Sequence, residues 1–250
     1  MWTESELTAY EAHGFLLKRG LLSGTDVEAL TGEMPWMLGP DQESDAIHRE
    51  RERTGAVRQV YLAHRHSEPY RQLVRDPRLL EPVKQTLGND VYVWHSKINV
   101  KAPFEGTVWL WHQDYGYWIN DGVEPRLMSA MVFLDQATQN NGCLLVAEGS
   151  HRWGLLPHGA DEITTSYKQW CVAPEYLASH LREDQIRPVT GDAGDVLFFD
   201  SRLLHASGHN LSPLPRRTVI VCYNALSNTP RPTASPRPDW VVARQFDVVT

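Results

Sequence analysis

The spacing of apolar residues changes near residue 90. Before that point they recur at intervals of three and four, the repeat that lines one face of a helix. After it they alternate with polar residues, the repeat that lines one face of a strand. Thr3-Glu4-Ser5-Glu6 is a capping-box pattern that starts a short helix stopping at Gly14. FLLKRGLL (15–22) predicts a strand, and Ser23-Gly24-Thr25-Asp26 opens a second helix running to about Met34. The mixed-charge run DQESDAIHRERER (41–53) predicts a solvated loop or helix face. Leu73, Val74, Leu79, Leu80, Val83 and Leu87 predict a helix over 70–87, interrupted near Pro77.

Six later stretches carry the period of two: VYVWHSKINV (91–100), TVWLWHQDY (107–115), LMSAMVFLDQ (127–136), GCLLVAEGSH (142–151), GDVLFFDSRLLHAS (194–207) and RTVIVCYNAL (217–226). Gly, Pro, Asn or Asp separates them. Strands at this spacing, with no helices alternating among them, predict an antiparallel sandwich or barrel. Segment 158–187 breaks the pattern and reads as a lid or an inserted helix. The Pro-rich NTPRPTASPRPDW (228–240) reads as an extended surface segment. The expected organisation is one domain over 1–250, with a mostly helical part to residue 89, a β core over 90–226 and a C-terminal extension over 227–250.

Composition narrows the function. The 250 residues carry 24 Lys+Arg against 31 Asp+Glu, a net charge of -7. That balance argues against nucleic acid as the partner, because phosphate recognition needs clustered cations. It favours a small-molecule substrate. No run approaches the ~18 apolar residues of a membrane helix, and the acidic N-terminus lacks the features of a signal peptide. No membrane partner is therefore expected, and the cytoplasm is the expected location. Cys143, Cys171 and Cys222 are far apart, so neither a disulfide framework nor a CxxC metal site is indicated.

The candidate chemistry is a metal site. Three His-x-Asp/Glu matches occur: His48-Arg49-Glu50, His66-Ser67-Glu68 and His112-Gln113-Asp114. With 11 His and 31 acidic residues, about one or two arise by chance, so context decides. His48 and His66 lie in polar segments and read as surface groups. His64-Arg65-His66 precedes the strand-rich region and is a weak alternative. His112 and Asp114 lie on a predicted strand, where residues two apart share a face and can reach one ion together. Trp111 and Gln113 then face the other way, and Tyr115, Tyr117 and Trp118 follow near the substrate entrance. A third ligand must come from elsewhere, with His95, His151, His158, His205 and His209 as candidates. His205 ends an apolar strand, which suits a ligand at a barrel mouth. Two His and one carboxylate form the facial set of non-heme Fe(II) oxygenases. Eleven residues after His205 comes Arg216, and the Asn210-Leu211-Ser212-Pro213 turn brings the chain back beside it. A guanidinium there clamps a distal carboxylate, as a 2-oxoglutarate site needs.

WHQD at 111–114, NNGCLLVAEGSHRWG, HASGHNLS and Arg216 together resemble the phytanoyl-CoA dioxygenase superfamily of Fe(II)/2-oxoglutarate oxygenases. Within it, VYVWHSKIN and WLWHQDYGYW are similar to the ectoine hydroxylases, and more so to bacterial hydroxylases of free aliphatic amino acids, of the leucine 5-hydroxylase kind. The likeness includes VRQVYLAH (57–64) and the tail, so it covers most of the chain. It implies a jelly-roll (double-stranded β-helix, cupin-like) core with flanking helices, and Fe(II), 2-oxoglutarate and O2 as cofactors. It makes His112, Asp114 and His205 the iron ligands and Arg216 the 2-oxoglutarate arginine. Asn99, Trp109 and Ser207 fall where relatives line that co-substrate's pocket. His95 stands where relatives carry Gln. Asp114 separates the chain from related halogenases, in which a small residue leaves room for chloride, so hydroxylation is the expected outcome. After the HxD motif the ectoine hydroxylases carry residues of the type F-E-T-W-H, whereas this chain has Tyr115-Gly116-Tyr117-Trp118-Ile119.

Positioning an amino acid requires a cation for its carboxylate and acceptors for its ammonium. Arg58 aligns with a basic position of the amino-acid hydroxylases and is the first candidate, with Arg126 second. Tyr61, Trp118 and Trp170 are candidates for the side-chain pocket. The expected function is hydroxylation of a free L-amino acid or similar zwitterion. The alternatives are the same chemistry on a larger, carrier-bound substrate, and a jelly-roll binding module without catalysis.

Overall fold

The computed structural model describes residues 1–40, 47–88, 90–165, 167–234 and 237–250. In chain order its strands are β1 (Phe15–Lys18), β2 (Arg49–Arg51), β3 (Val57–Tyr61), β4 (Val91–Lys101), β5 (Trp109–His112), β6 (Leu127–Phe133), β7 (Leu144–Ala147), β8 (His158–Asp161), β9 (Gln169–Val172), β10 (Ile186–Val189), β11 (Val196–Asp200), β12 (His205–Ser207) and β13 (Arg216–Ala225). A seven-stranded sheet runs β1-β11-β6-β13-β4-β3-β2, and a four-stranded sheet runs β10-β7-β12-β5. Among the described residues, every strand pairing in the two sheets is antiparallel. This is the expected mainly-β jelly roll with flanking helices.

Alternation builds the two sides of the large sheet. Val132, Val196, Phe198, Val219 and Val221 join Ile98 and Val100 in a core shared with the helices. Their neighbours Met131, Phe133, Leu197, Phe199 and Ile220 turn to the other side and pack with Leu144, Val146 and Val189 of the small sheet. A strand buried on both faces stabilises both layers, at about 25 cal/mol per Å² of apolar surface removed from water. The helices Glu4–His13 and Pro77–Leu87 cover the outer side. Thr3 forms the expected capping box with Glu6, and Gly14 closes that helix at φ 82°. Asp76 caps the second, whose Leu79, Leu80, Val83 and Leu87 are buried. The break near Pro77 is real, since a separate helix spans Glu68–Leu73.

Several expectations need correction. Two strands, β2 and β3, lie inside the part read as mostly helical, and β2 falls within the charged run. Residues 41–46 of that run lie outside the described residues. Strand 15–22 ends at Lys18, because the chain turns at Gly20 (φ 56°). Stretch 107–115 is a strand only to His112, and a short helix, Asp114–Trp118, follows. Stretch 142–151 is a strand only over β7. Stretch 194–207 splits into β11 and β12, with Leu203 N–H bonded to the Asp200 carbonyl in the turn between them. Segment 158–187 holds the β8–β9 hairpin, the helix Pro174–His180 and the start of β10. The described residues of 229–240 are exposed or half-buried, as expected of a surface segment, but the chain beyond it turns inward: Val242, Ala243 and Val249 are buried, and Ala243 N–H bonds the Trp94 carbonyl of β4. No helix among the described residues is long and apolar enough to cross a membrane.

Gly142 precedes β7 at φ 77°, and a Cβ there would lie 2.6 Å from the Gly208 carbonyl and 2.9 Å from Lys101 Cδ. Gly142→Ala should therefore lower unfolding free energy by about 2 kcal/mol or more, read as a lower urea midpoint with unchanged slope.

Candidate active site

β5 and β12 are antiparallel neighbours, and His112 and His205 stand directly opposite each other across them. Their ring centroids are 4.2 Å apart. Gln113 keeps an extended backbone (φ −109°, ψ 134°), so Asp114 returns to the face of His112 before the helix begins. Asp114 Oδ1 lies 3.9 Å from His112 Nε2 and 4.0 Å from His205 Nε2. One donor atom from each residue lies within 4.8 Å of the others, and all three residues are buried.

The backbone fixes which nitrogens are free. His112 Nδ1 lies 2.6 Å from the Leu110 carbonyl, and His205 Nδ1 lies 2.9 Å from the Leu203 carbonyl. A carbonyl oxygen only accepts, so each Nδ1 must donate, and each Nε2 presents its lone pair on the side of Asp114. Burial pushes both imidazoles below their ordinary range, and the facing His205 adds to the shift of His112. Both are therefore neutral, the form that binds a metal. Two imidazole nitrogens and one carboxylate oxygen converging from one side fit a facial Fe(II) site.

A second set of groups fits an anion. Arg216 opens β13 and is buried; its Nε and Nη2 donate to the Gly142 carbonyl at 3.1 and 2.8 Å, and its Nη1 donates to Thr218 Oγ1 at 3.3 Å. Among the described residues these partners are neutral, and burial lowers the guanidinium to about 10. Directly across the ladder, buried Lys101 donates to the carbonyls of Thr107 and Gly208. Ser207 Oγ is buried with no hydrogen-bond partner among the described residues. Asn99, two residues before Lys101, accepts a bond from Gln59 Nε2 at 2.8 Å. Buried cations satisfied only by neutral oxygens are costly alone and well matched to a carboxylate.

Beside His112 and Asp114 lies a cavity of about 120 Å³. Arg58 projects into it, only 3% exposed. Its guanidinium is sandwiched, with the central carbon 3.4 Å from the Trp109 ring centroid and 3.2 Å from that of Tyr167. Its Nη1 donates to Glu50 at 3.4 Å and its Nε faces the buried Glu52 Oε1 at 4.0 Å, while Nη2 has no hydrogen-bond or ion-pair partner among the described residues. The faces of the guanidinium are covered, two of its nitrogens face carboxylates, and Nη2 is the nitrogen left for a further partner. Tyr61 and Trp118 line the same cavity, as does His95, whose Nδ1 donates to the Val241 carbonyl at 2.6 Å. Burial lowers His95 to about 3, leaving a neutral ring whose Nε2 accepts.

Other sequence candidates fall elsewhere. Arg126 is exposed and away from the cavity. Trp170 is not among the cavity's lining residues; its backbone N–H instead donates to Tyr117 Oη at 3.0 Å. His151 Nε2 bonds the Glu11 carbonyl, His209 is exposed, and His158 holds the Gln113 backbone. His48 is not simply a surface group, because its ring stacks on Trp240 at 3.7 Å. Gln113 does face away from the ligands, but it is fully buried.

Sequence reasoning missed Lys97, Lys101, Tyr167 and Arg237, whereas Tyr117 lines the cavity as its expected place near the substrate entrance implied. Of the missed residues, Lys97, Tyr167 and Arg237 line the cavity. A signal for the lysines was present in β4, where His95, Lys97, Asn99 and Lys101 alternate with Ser96, Ile98 and Val100. An interior strand with a polar face is the mark of a lined site rather than of a solvent-facing sheet. Arg237 carried no such signal, since only the folding of the tail brings it to the cavity, where buried Asp121 holds its Nε at 3.0 Å.

Comparison with known proteins agrees with this geometry. The family model for phytanoyl-CoA dioxygenase (PhyH) matches residues 10–218. An ectoine dioxygenase of Bordetella bronchiseptica is 36% identical over 256 residues, covering 96% of this chain and 82% of the relative. An L-proline trans-4-hydroxylase of Streptomyces griseoviridis is 32% identical over 248 residues, covering 94% of this chain and 90% of the relative. The crystal structure of EctD from S. alaskensis with 2-oxoglutarate and 5-hydroxyectoine superposes with a TM-score of 0.84 at 27% identity, covering 99% of this chain and 86% of that one. With its fold, its buried His-Asp-His donor set and this similarity along nearly its whole length, the chain belongs to the phytanoyl-CoA dioxygenase family of Fe(II)- and 2-oxoglutarate-dependent oxygenases.

Proposed function

We propose that this protein hydroxylates an unactivated C–H bond of a free L-amino acid or similar small zwitterion. The observation that carries this reading is Arg58, a buried cation beside the donor set whose Nη2 has no hydrogen-bond or ion-pair partner among the described residues. A substrate carboxylate would accept a charge-assisted hydrogen bond from that nitrogen. The neutral Nε2 of His95 offers an acceptor for the ammonium, and Tyr61, Trp118 and Tyr117 wall the space between. The cavity's size favours a small free substrate over a carrier-bound one. One relative is named for L-proline, itself a free amino acid.

In this reading His112, Asp114 and His205 hold Fe(II), and Arg216 holds the distal carboxylate of 2-oxoglutarate, with Asn99, Trp109 and Ser207 beside it. The bound iron, with 2-oxoglutarate and O2, supplies an oxidant strong enough for an unactivated C–H bond. The chain contributes placement. The carbonyls of Leu110 and Leu203 fix the imidazoles, Arg58 fixes one end of the substrate, and the aromatic walls exclude water and leave one C–H bond facing the donor set.

Purified protein with Fe(II), 2-oxoglutarate and O2, tested against a panel of L-amino acids, should form succinate together with a product heavier by one oxygen. Absence of both products across the panel would contradict this reading. The two arginines should separate kinetically. Loss of a charged hydrogen-bond donor costs about 1.5–3 kcal/mol, so Arg58→Leu should raise the amino-acid KM by roughly 10- to 100-fold. Arg216→Leu should raise the 2-oxoglutarate KM by about the same factor. The reverse pattern would show that the two ends of the site are misassigned.

A further inference from the structure

The residue between the two ligands of the HxD pair is held from every side. Gln113 Nε2 donates to the carbonyls of Gly154 and Arg202 at 2.8 and 2.6 Å, and its Oε1 accepts the Leu156 N–H at 2.8 Å. Its backbone N–H donates to His158 Nε2 at 3.0 Å. His158 opens the β8–β9 hairpin, and its Nδ1 lies 2.8 Å from the Leu156 carbonyl. The carbonyl accepts, so Nδ1 carries the proton and Nε2 is the acceptor that the Gln113 amide needs. The ring sits directly on the helix after the ligands, where a Cβ at Gly116 would lie 2.4 Å from His158 Nε2. The same hairpin reaches the loop again one turn later, where Trp170 N–H donates to Tyr117 Oη. Arg202, the other end of the Gln113 bridge, precedes by one residue the Leu203 carbonyl that orients His205.

We propose that His158 is a positioning residue for the metal, fixing the backbone between His112 and Asp114 so that both donors meet the ion with His205. It touches neither metal nor substrate; it acts through the Gln113 amide. The hairpin also carries Tyr167, the ring against Arg58, so the metal loop and the wall of the substrate cavity rest on one element. Without the imidazole acceptor the Gln113 N–H is left buried and unpaired, and the spacing of the two donors is no longer set from outside the loop.

The test is binding of Mn(II), a redox-stable stand-in for Fe(II), to the full-length protein. His158→Leu removes the acceptor, whereas the amide oxygen of His158→Gln restores one at similar reach. The expected result is a Kd for Mn(II) raised by about 10- to 100-fold in the Leu variant and within about threefold of wild type in the Gln variant, with circular dichroism unchanged in both. Wild-type affinity in the Leu variant overturns the proposal. So does loss of fold in both variants, which would make His158 structural. If only the Leu variant fails to fold, Gly116→Ala decides: displacing the ring must weaken Mn(II), and an unchanged Kd overturns the proposal. The inference rests on His112, Asp114 and His205 being the ligands; failure of wild type to bind Mn(II) would sink that assignment, whereas an insensitive His158→Leu sinks this one alone.

Discussion

The site depends on one pairing: β5 against β12 with His112 opposite His205. Antiparallel register sets the distance between two side chains that lie 93 positions apart in sequence (205 minus 112), and a slip of one residue would turn one imidazole out of the site. The register is guarded on both flanks. β12 also pairs with β7, and Gln113 ties the end of β5 to the turn that leads into β12. The carbonyls of Leu110 and Leu203 then choose the tautomers, so the two imidazoles reach the metal position already oriented. Little ordering is left for the ion to impose.

The large sheet supplies the opposing wall through simple alternation, with one irregularity that matters. β13 pairs with β4 in regular register until Cys222, which faces His95, and Tyr223, which faces Val93. Trp94 is the extra residue of that bulge, and the parity of β4 changes there. Ile98 and Val100 pack with the helices, as do Val91 and Val93 beyond the bulge. Trp94 and His95 consequently both approach Trp118, at 6.4 and 6.2 Å. The polar series His95, Lys97, Asn99 and Lys101 is thus confined to the site side while a continuous apolar layer is kept behind it. Burying this many polar groups is costly, and the cost is offset by the neutral imidazole of His95, the carbonyl partners of Lys101 and Arg216, and the ring sandwich around Arg58.

The sheets and the donor set were legible because both follow short-range rules. Period two marked most of the core strands, and the HxD spacing holds as long as two residues remain extended. What was not legible depends on contacts between distant segments. β2 looks polar because it is the edge of the large sheet, and β3 looks mixed because Arg58 and Gln59 line the cavity. The HxD strand ends early because the backbone turns into a helix once the ligands are placed. The tail reads as Pro-rich surface, yet Trp240 stacks on His48 and Val241 bonds His95, so the tail closes one side of the cavity. Arg58 was found by similarity, but its ring sandwich needs Tyr167, which lies in a segment with no readable period.

The most direct test of the central claim is a metal titration of the protein and of its ligand variants, with folding followed in parallel. Wild type should bind one Fe(II) or Mn(II) per chain, and His112→Ala and Asp114→Ala should remain folded while binding at least about 100-fold more weakly. Wild-type metal affinity in either folded variant would contradict the assignment of the donor set, and with it the account of the site.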